Sequence, residues 1–215
     1  MAVEKIGRCV IISGSPDVDP SFISSQIKKD DYVICADKGY EYAQQCSIKP
    51  DLFVGDFDSF CGSVEEGVEI ISLKTRKDYT DTMHCAKVAI KRGYRNILIL
   101  GALGGRFDHS FANLSVLQYL SENGANAKIL TENESIEYKP VGEYEYLYLN
   151  GYTFSVFPFG CNEVVLTYNG KVEYPANSLK IKSSDTISIS NIFRSDNVKI
   201  SVEKGSALVI VDKVL

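Results

Sequence analysis

Apolar residues come in short unbroken runs through the first part of the chain and in alternating runs through the rest. RCVIIS (8–13), YVICA (32–36), DLFVG (51–55), EIISL (69–73), NILILG (96–101) and AKIL (127–130) are aliphatic or β-branched and flanked by turn residues. Continuous apolar strands of this length suit a parallel sheet covered on both faces, where neither side tolerates polar side chains. Between them, Met83, Ala86 and Ile90 fall three and four residues apart over 81–92, with Gly93 as a stop. Phe111, Leu114, Leu117 and Leu120 repeat the spacing over 109–123, ahead of Asn123-Gly124. Such strand–helix alternation predicts right-handed crossovers and an open, mostly parallel sheet with flanking helices.

After residue 134 the rhythm changes. YEYLYLN, YTFSVFPF, EVVLTYN, KVEYP, DTISISNIF, VKISVEKG and ALVIVDKV are short aromatic or β-branched runs. Asn150-Gly151, Asn169-Gly170 and Lys204-Gly205 separate some of them as turns. The pattern predicts an α/β domain over 1–133 and a C-terminal all-β domain, a small antiparallel sandwich, over 134–215.

Composition adds limits. With 215 residues, 45% hydrophobic and 24% charged, the chain can bury a real core. A net charge of −5 argues against a nucleic-acid binder, which carries a basic stripe. No apolar run approaches membrane-spanning length, and the apolar run in the start MAVEKIGRCVIISGSP is cut short by Ser13, Gly14 and Pro16, so neither membrane nor leader is expected. Six scattered cysteines without CxxC spacing, and only two histidines, do not suit a structural zinc site. The expected setting is the reducing cytoplasm.

In an open parallel sheet, ligands bind outside the carboxyl ends of the strands. Charged residues here fall on those ends. Asp37 and Lys38 follow the second run, and Asp56 and Asp58 the third. Lys74, Arg76, Lys77, Asp78 and Asp81 follow the fourth, and Gly101, Gly104, Gly105, Arg106, Asp108 and His109 the fifth. Asp56 and Asp58 are two apart, so in an extended segment both carboxylates leave one face, which suits a hard divalent cation. The alternative is that Asp58 caps a turn and Asp56 sits in a tight bend. Asp78 and Asp81 read as one face of a helical first turn, where acidic residues are also favoured by the helix dipole alone. The glycines fit neither GxGxxG nor a P-loop, yet could bring backbone N–H groups to phosphate, with Arg106 as a fork. Asp108 either binds substrate or caps its helix. Carboxylates, cations and glycine turns together have the composition of a phosphoryl-transfer site.

The succession ADKG (36–39), PDLFVGDFDS (50–59), KDYTD (77–81), GALGGRFDH (101–109) and SISNIF (188–193) resembles the thiamine pyrophosphokinase (thiamin diphosphokinase) family over nearly the whole chain. The resemblance implies transfer of a diphosphate from ATP to the hydroxyethyl group of thiamine, giving thiamine diphosphate and AMP. It also implies a homodimer whose active sites join the α/β domain of one subunit to the β domain of the other. Carried onto this chain, Asp56, Asp58 and Asp81 would hold Mg2+ and the ATP phosphates. Asp37, Lys77, Asp78, Gly104, Gly105, Arg106 and Asp108 would complete the nucleotide and catalytic site, and Ser188, Ser190 and Asn191 would contact thiamine. Either Asp81 or Asp108 could accept the hydroxyl proton.

The chain departs from the family pattern in three places. ADKG puts Lys38 where a glycine is usual, and SNIF lacks the carboxylate of SNEF. There is no tryptophan, so either Phe193 or the Arg194 guanidinium could stand in as the flat partner for the thiamine pyrimidine, or both are structural. The competing readings are a metal-dependent nucleotide hydrolase, a pyrophosphokinase for another alcohol, and a non-catalytic nucleotide sensor.

Overall fold

The computed structural model of the chain describes residues 7–56, 63–74, 78–147 and 149–213. It divides into two compact units, Met1–Glu132 and Asn133–Leu215.

The first unit runs β1 (Arg8–Ile12), α1 (Pro20–Gln26), β2 (Tyr32–Ala36), α2 (Gly39–Gln45), β3 (Leu52–Gly55), β4 (Glu69–Ser72), α3 (Asp81–Lys91), β5 (Asn96–Leu100), α4 (Phe107–Glu122) and β6 (Asn126–Leu130). Its strands are all parallel, in the order β6-β5-β1-β2-β3-β4. The unbroken apolar runs have the expected cause. Cys9, Val10, Ile11 and Ile12 of central β1 are each 0% exposed, so both sheet faces are covered. Val10 and Ile12 pack with Val33 and Phe53, with Ile23 of α1 and with Tyr40 and Ala43 of α2. On Cα proximity, α3 lies against β1, β2 and β3, and α4 against α3 and β6.

The seven-residue α1 and α2 are too short to show a helical period in the sequence. Asp19 caps α1 by accepting the Ser21 N–H at 2.8 Å, and Pro20 opens its first turn. The C-terminal stop of α4 falls where Asn123-Gly124 places it, with Gly124 at φ 74°.

The second unit is wholly β, with strands β7 (Glu134–Lys139), β8 (Gly142–Leu147), β9 (Thr153–Pro158), β10 (Glu163–Asn169), β11 (Leu179–Lys182), β12 (Asn191–Ile192), β13 (Asn197–Lys204) and β14 (Ala207–Asp212). Two antiparallel sheets, β12-β9-β14-β7 and β11-β10-β13-β8, form a sandwich. Phe154, Val156 and Val209 of one sheet share a core with Val164, Leu166 and Ile200 of the other.

Two expected strands are not formed as such. In KVEYP only Val172 makes an isolated bridge, to Phe193. DTISISNIF contributes just Asn191–Ile192, because Ser188 (φ 69°) and Ser190 (φ 53°) take left-handed backbone that breaks a strand. Conversely, β7 forms where no strand is expected. Its Glu137 and Lys139 are a largely buried ion pair at 2.8 Å, which masks the apolar alternation.

Candidate active site

Strand order reverses at β1: β2, β3 and β4 extend to one side of it, while β5 and β6 lie on the other. The carboxyl ends of β1 and β5 therefore diverge into loops that leave a crevice. Ser13 N–H donates to the Leu100 carbonyl at 2.8 Å and Ser15 N–H to the Gly101 carbonyl at 2.9 Å, so the pairing continues just past the strand ends. Beyond that point a cleft of about 600 Å³ opens, lined by Ser13–Pro16 after β1, Asp37 and Lys38 after β2, Thr80–Thr82 at the start of α3, and Gly101, Ala102 and Gly104–Arg106 after β5. Gly101 has φ 61°, and a Cβ there would sit 2.6 Å from the Ser13 carbonyl oxygen, so only glycine closes this edge.

Five of the residues that the family resemblance implies line this cleft, Asp37, Asp81, Gly104, Gly105 and Arg106, together with Lys38, Gly101 and His109 from the same strand ends. Asp37 sits at φ 46°, left-handed backbone directly after β2, with its N–H held by the Val54 carbonyl at 3.0 Å. Strained non-glycine backbone of this kind concentrates at functional edges. Asp81 is the first residue of α3. The Thr80 hydroxyl caps that helix by accepting the Met83 N–H at 3.3 Å, and the neighbouring Thr82 shares a buried hydrogen bond of 2.9 Å with Ser13. Asp78 precedes the cap, so it does not share the first helical turn with Asp81 as the spacing suggested; it is exposed. Asp56 follows β3 on the same sheet edge without being part of the cleft lining. Asp58, Arg76 and Lys77 lie outside the described residues.

Arg106 and Asp108 form a rim pair. Arg106 Nε and Nη2 donate to the two Asp108 oxygens at 3.1 and 2.5 Å, and Asp108 Oδ1 also accepts the His109 N–H at 2.9 Å. The guanidinium holds the Asp108 carboxyl below the usual carboxylate range, and the carboxylate raises Arg106 in turn. The glycine amides have partners within the chain: Gly104 N–H donates to Ser110 Oγ at 3.1 Å and Gly105 N–H to Asp17 Oδ2 at 2.6 Å.

Several cleft residues escape a reading based on charge. Ser15 Oγ donates to the Leu103 carbonyl, the Tyr42 hydroxyl donates to the Ser15 carbonyl at 2.8 Å, and buried Asn113 donates to the Ala102 carbonyl at 2.7 Å. Ser15 ties the β1 loop to the β5 loop, and Tyr42 and Asn113 anchor those loops to α2 and α4 respectively. The run SGSPD after the first strand was the available signal, since it obeys the same carboxyl-edge rule as the aspartates.

In the second unit, Ser188 shares its hydroxyl with Tyr168 and accepts the Val156 N–H on its carbonyl at 2.9 Å. Burial pushes the Tyr168 hydroxyl up to about 12, against the pull of its bond to Ser188. Ser190 is exposed, and its N–H is fixed by Ser155 Oγ at 3.0 Å. Asn191 is 2% exposed, and its amide is bonded to the backbone of Tyr174. Phe193 is 0% exposed in the sandwich core, and Arg194 pairs with Glu173 at 2.8 Å. Phe193 is thus not a free flat surface, whereas Arg194 is exposed and bonded through the edge of its guanidinium. Tyr174, 66% exposed, is a further flat surface.

Residues 23–129 match the family model described as thiamin pyrophosphokinase, catalytic domain, and residues 143–207 match that described as thiamin pyrophosphokinase, vitamin B1 binding domain. The chain belongs to the thiamin pyrophosphokinase family. Among curated relatives, thiamine pyrophosphokinase 1 of Oryza sativa subsp. japonica is 29% identical over 168 residues, covering 71% of this chain and 62% of the rice protein. The thiamine pyrophosphokinase of Bacillus subtilis is 28% identical over 183 residues, covering 82% of this chain and 85% of its own. The matches thus span about two thirds or less of the rice proteins' length. The crystal structure of the Bacillus subtilis thiamine pyrophosphokinase superposes with a TM-score of 0.86 at 25% identity, covering 97% of this chain and 100% of that one. The Candida albicans family member shares the fold at a TM-score of 0.78 and 18% identity, over 97% and 89% of the two chains.

Cleft-lining Asp37 and Asp81, with the hydroxyls of Ser13, Ser15 and Thr82, form an oxygen-rich donor set suited to a hard cation rather than a soft one. Among the described residues no three acidic, histidine or cysteine side chains form a complete metal cage. Magnesium does not require one: it takes one or two carboxylates and fills its remaining positions with substrate phosphates and water.

Proposed function

We propose that this chain transfers the diphosphate of ATP to the hydroxyethyl oxygen of thiamine, releasing AMP. The observation that carries the proposal is the cleft at the β1/β5 switch point, lined by carboxylates, cations and glycine turns, in a chain matched along its length by both thiamin pyrophosphokinase domain models. ATP enters this cleft with its phosphates towards Asp37, Asp81 and Arg106. Asp56, Asp58 and Asp81 would hold Mg2+, which when bound neutralises phosphate charge. Lys77 and Asp78 belong to the same segment and complete the nucleotide site.

The thiamine hydroxyl oxygen attacks the β-phosphorus in line, and the bond from that phosphorus to the α-bridging oxygen breaks with its electron pair leaving on AMP. Of the two candidates for the hydroxyl proton, Asp108 is engaged by Arg106 and lowered by it. Asp81, in the cleft lining, is the better acceptor. Arg106 then serves the phosphates while Asp108 orients it.

In the second unit Ser188, Ser190 and Asn191 form the thiamine-facing segment, and Tyr174 offers the pyrimidine its flat partner in place of tryptophan. The enzyme works as a homodimer in which this segment completes the active site of the partner subunit. No helix among the described residues is long and apolar enough to cross a membrane, and the five described cysteines are free thiols. Both features suit a cytoplasmic enzyme.

The test is an assay with ATP, Mg2+ and thiamine. Stoichiometric AMP and thiamine diphosphate support the proposal. ADP as product, or AMP formed without thiamine, points to the hydrolase or other-alcohol readings and overturns it. Light scattering that finds an active monomer would remove the shared-site dimer.

A further inference from the structure

The reaction proposed above brings a polyanion into a cleft whose described lining carries two carboxylates and two permanent cations, Lys38 and Arg106. Arg106 is committed to both oxygens of Asp108. Lys38 makes no ion pair and no side-chain hydrogen bond among the described residues, and it does not cap α2, the helix it precedes. Its stem is nevertheless placed: a Cβ built on Gly14 would lie 2.8 Å from Lys38 Cβ and 3.4 Å from its Cα. Gly14 itself lines the cleft. The lysine therefore starts out across the bare backbone of the β1 loop, in the space that any other residue at Gly14 would contest. An ammonium on a four-carbon stem, unpaired among the described residues and lining this cleft, is a point charge able to follow phosphate oxygens.

We infer that Lys38 is a phosphate-contacting, ATP-affinity-determining residue of this chain, and that Gly14 is kept small to seat it. This rests on the ATP-dependent reading of the cleft. The role is one of binding: Lys38 contacts ATP in the ground state and in the transition state alike, so its loss raises KM for ATP with little change in kcat.

The experiment is steady-state kinetics on the full chain with Mg2+, wild type against Lys38→Gln, Lys38→Arg and Gly14→Ala, with calorimetric titration of ATP in the absence of thiamine. Lys38→Gln is expected to raise KM for ATP and the ATP dissociation constant about tenfold, the scale of one charge-assisted contact. The thiamine KM stays within twofold, and Lys38→Arg restores most of the loss. Gly14→Ala weakens ATP binding in the wild type but not in a Lys38→Gly background, where the crowding Cβ is gone. Unchanged ATP parameters in a folded, active Lys38→Gln enzyme would show a solvated surface lysine and overturn the inference while leaving the diphosphotransfer reading intact. A wild-type protein that binds ATP but forms no thiamine diphosphate would fail that reading instead, and the titrations would still decide the role of Lys38.

Discussion

Asn191 holds Tyr174 as a neighbouring strand would: its Oδ1 accepts the Tyr174 N–H at 2.9 Å, and its Nδ2 donates to the Tyr174 carbonyl at 2.8 Å. The same Oδ1 also accepts the Ile192 N–H at 2.9 Å. Asn191, proposed for the thiamine-facing segment, is thus also the pin for an exposed aromatic ring. Asn191→Ala is expected to cost about 1–3 kcal/mol of stability, the penalty for removing a buried partner, and to raise the thiamine KM more than the ATP KM. Tyr174→Ala, at a position 66% exposed, should leave the melting temperature nearly unchanged while raising the thiamine KM. Thermal melts beside the two KM values separate pin from ring; equal effects of Asn191→Ala on both substrates would contradict its assignment.

Asp37 bears a backbone cost for its place on the sheet edge. At φ 46° a glycine would be relaxed and an asparagine tolerated. Asp37→Gly and Asp37→Asn are therefore both expected to stay folded, since neither meets a higher backbone cost there. Both should lose most ATP-dependent turnover, since the carboxylate is what the strained backbone presents. Retained turnover in folded Asp37→Asn would show that the strain serves only the β2–α2 connection.

The Arg8–Asp31 pair ties the first strand to the connection ahead of β2. Arg8 Nε and Nη2 donate to the two Asp31 oxygens at 2.9 and 2.5 Å, and the Lys28 N–H adds a third bond at 2.7 Å. Burial alone pushes the Asp31 carboxyl up, but the arginine and the amide outweigh it and hold it below the usual range. A depressed folded value means the stabilisation is present above the unfolded value, about 4, and is lost as pH falls through the folded one. Asp31→Asn should destabilise by roughly 1–3 kcal/mol at pH 7, with the gap to wild type closing in acid below pH about 4. A gap that stays constant down to acid unfolding would argue against the ion pair as its source.

The parallel sheet was legible because its strands bury both faces, and the aspartates were legible because they follow those strands. What escaped was local chemistry that backbone groups decide. Asp78 lost its helical place to the Thr80 cap, one hydroxyl outweighing a favourable spacing. Phe193 looked like a stacking ring until its neighbours Phe154 and Tyr146 enclosed it. Two serines at positive φ broke a stretch whose β-branched pattern promised a strand. Ser15, Tyr42 and Asn113 act through main-chain carbonyls, to which a search for charged side chains is blind.

Asp56 and Asp58, proposed for the cation alone, can be told apart by magnesium itself from Asp81, proposed for both cation and proton. A lost ligand weakens Mg2+ binding, so excess cation recovers part of the rate; a lost proton acceptor lowers kcat at every concentration. Asp56→Asn and Asp58→Asn are expected to lower turnover by on the order of 100-fold or more at ordinary Mg2+ and to regain some of it when Mg2+ is raised. Asp81→Asn should lose as much and regain little, because its second oxygen is the proposed acceptor. Asp108→Asn leaves the Arg106 guanidinium without its bidentate partner and should act mainly on ATP KM. Magnesium titrations of the four variants, with EDTA-treated wild type as the zero, read these differences directly. Full turnover in metal-free wild type, or in Asp56→Asn and Asp58→Asn alike, would remove the cation from these carboxylates.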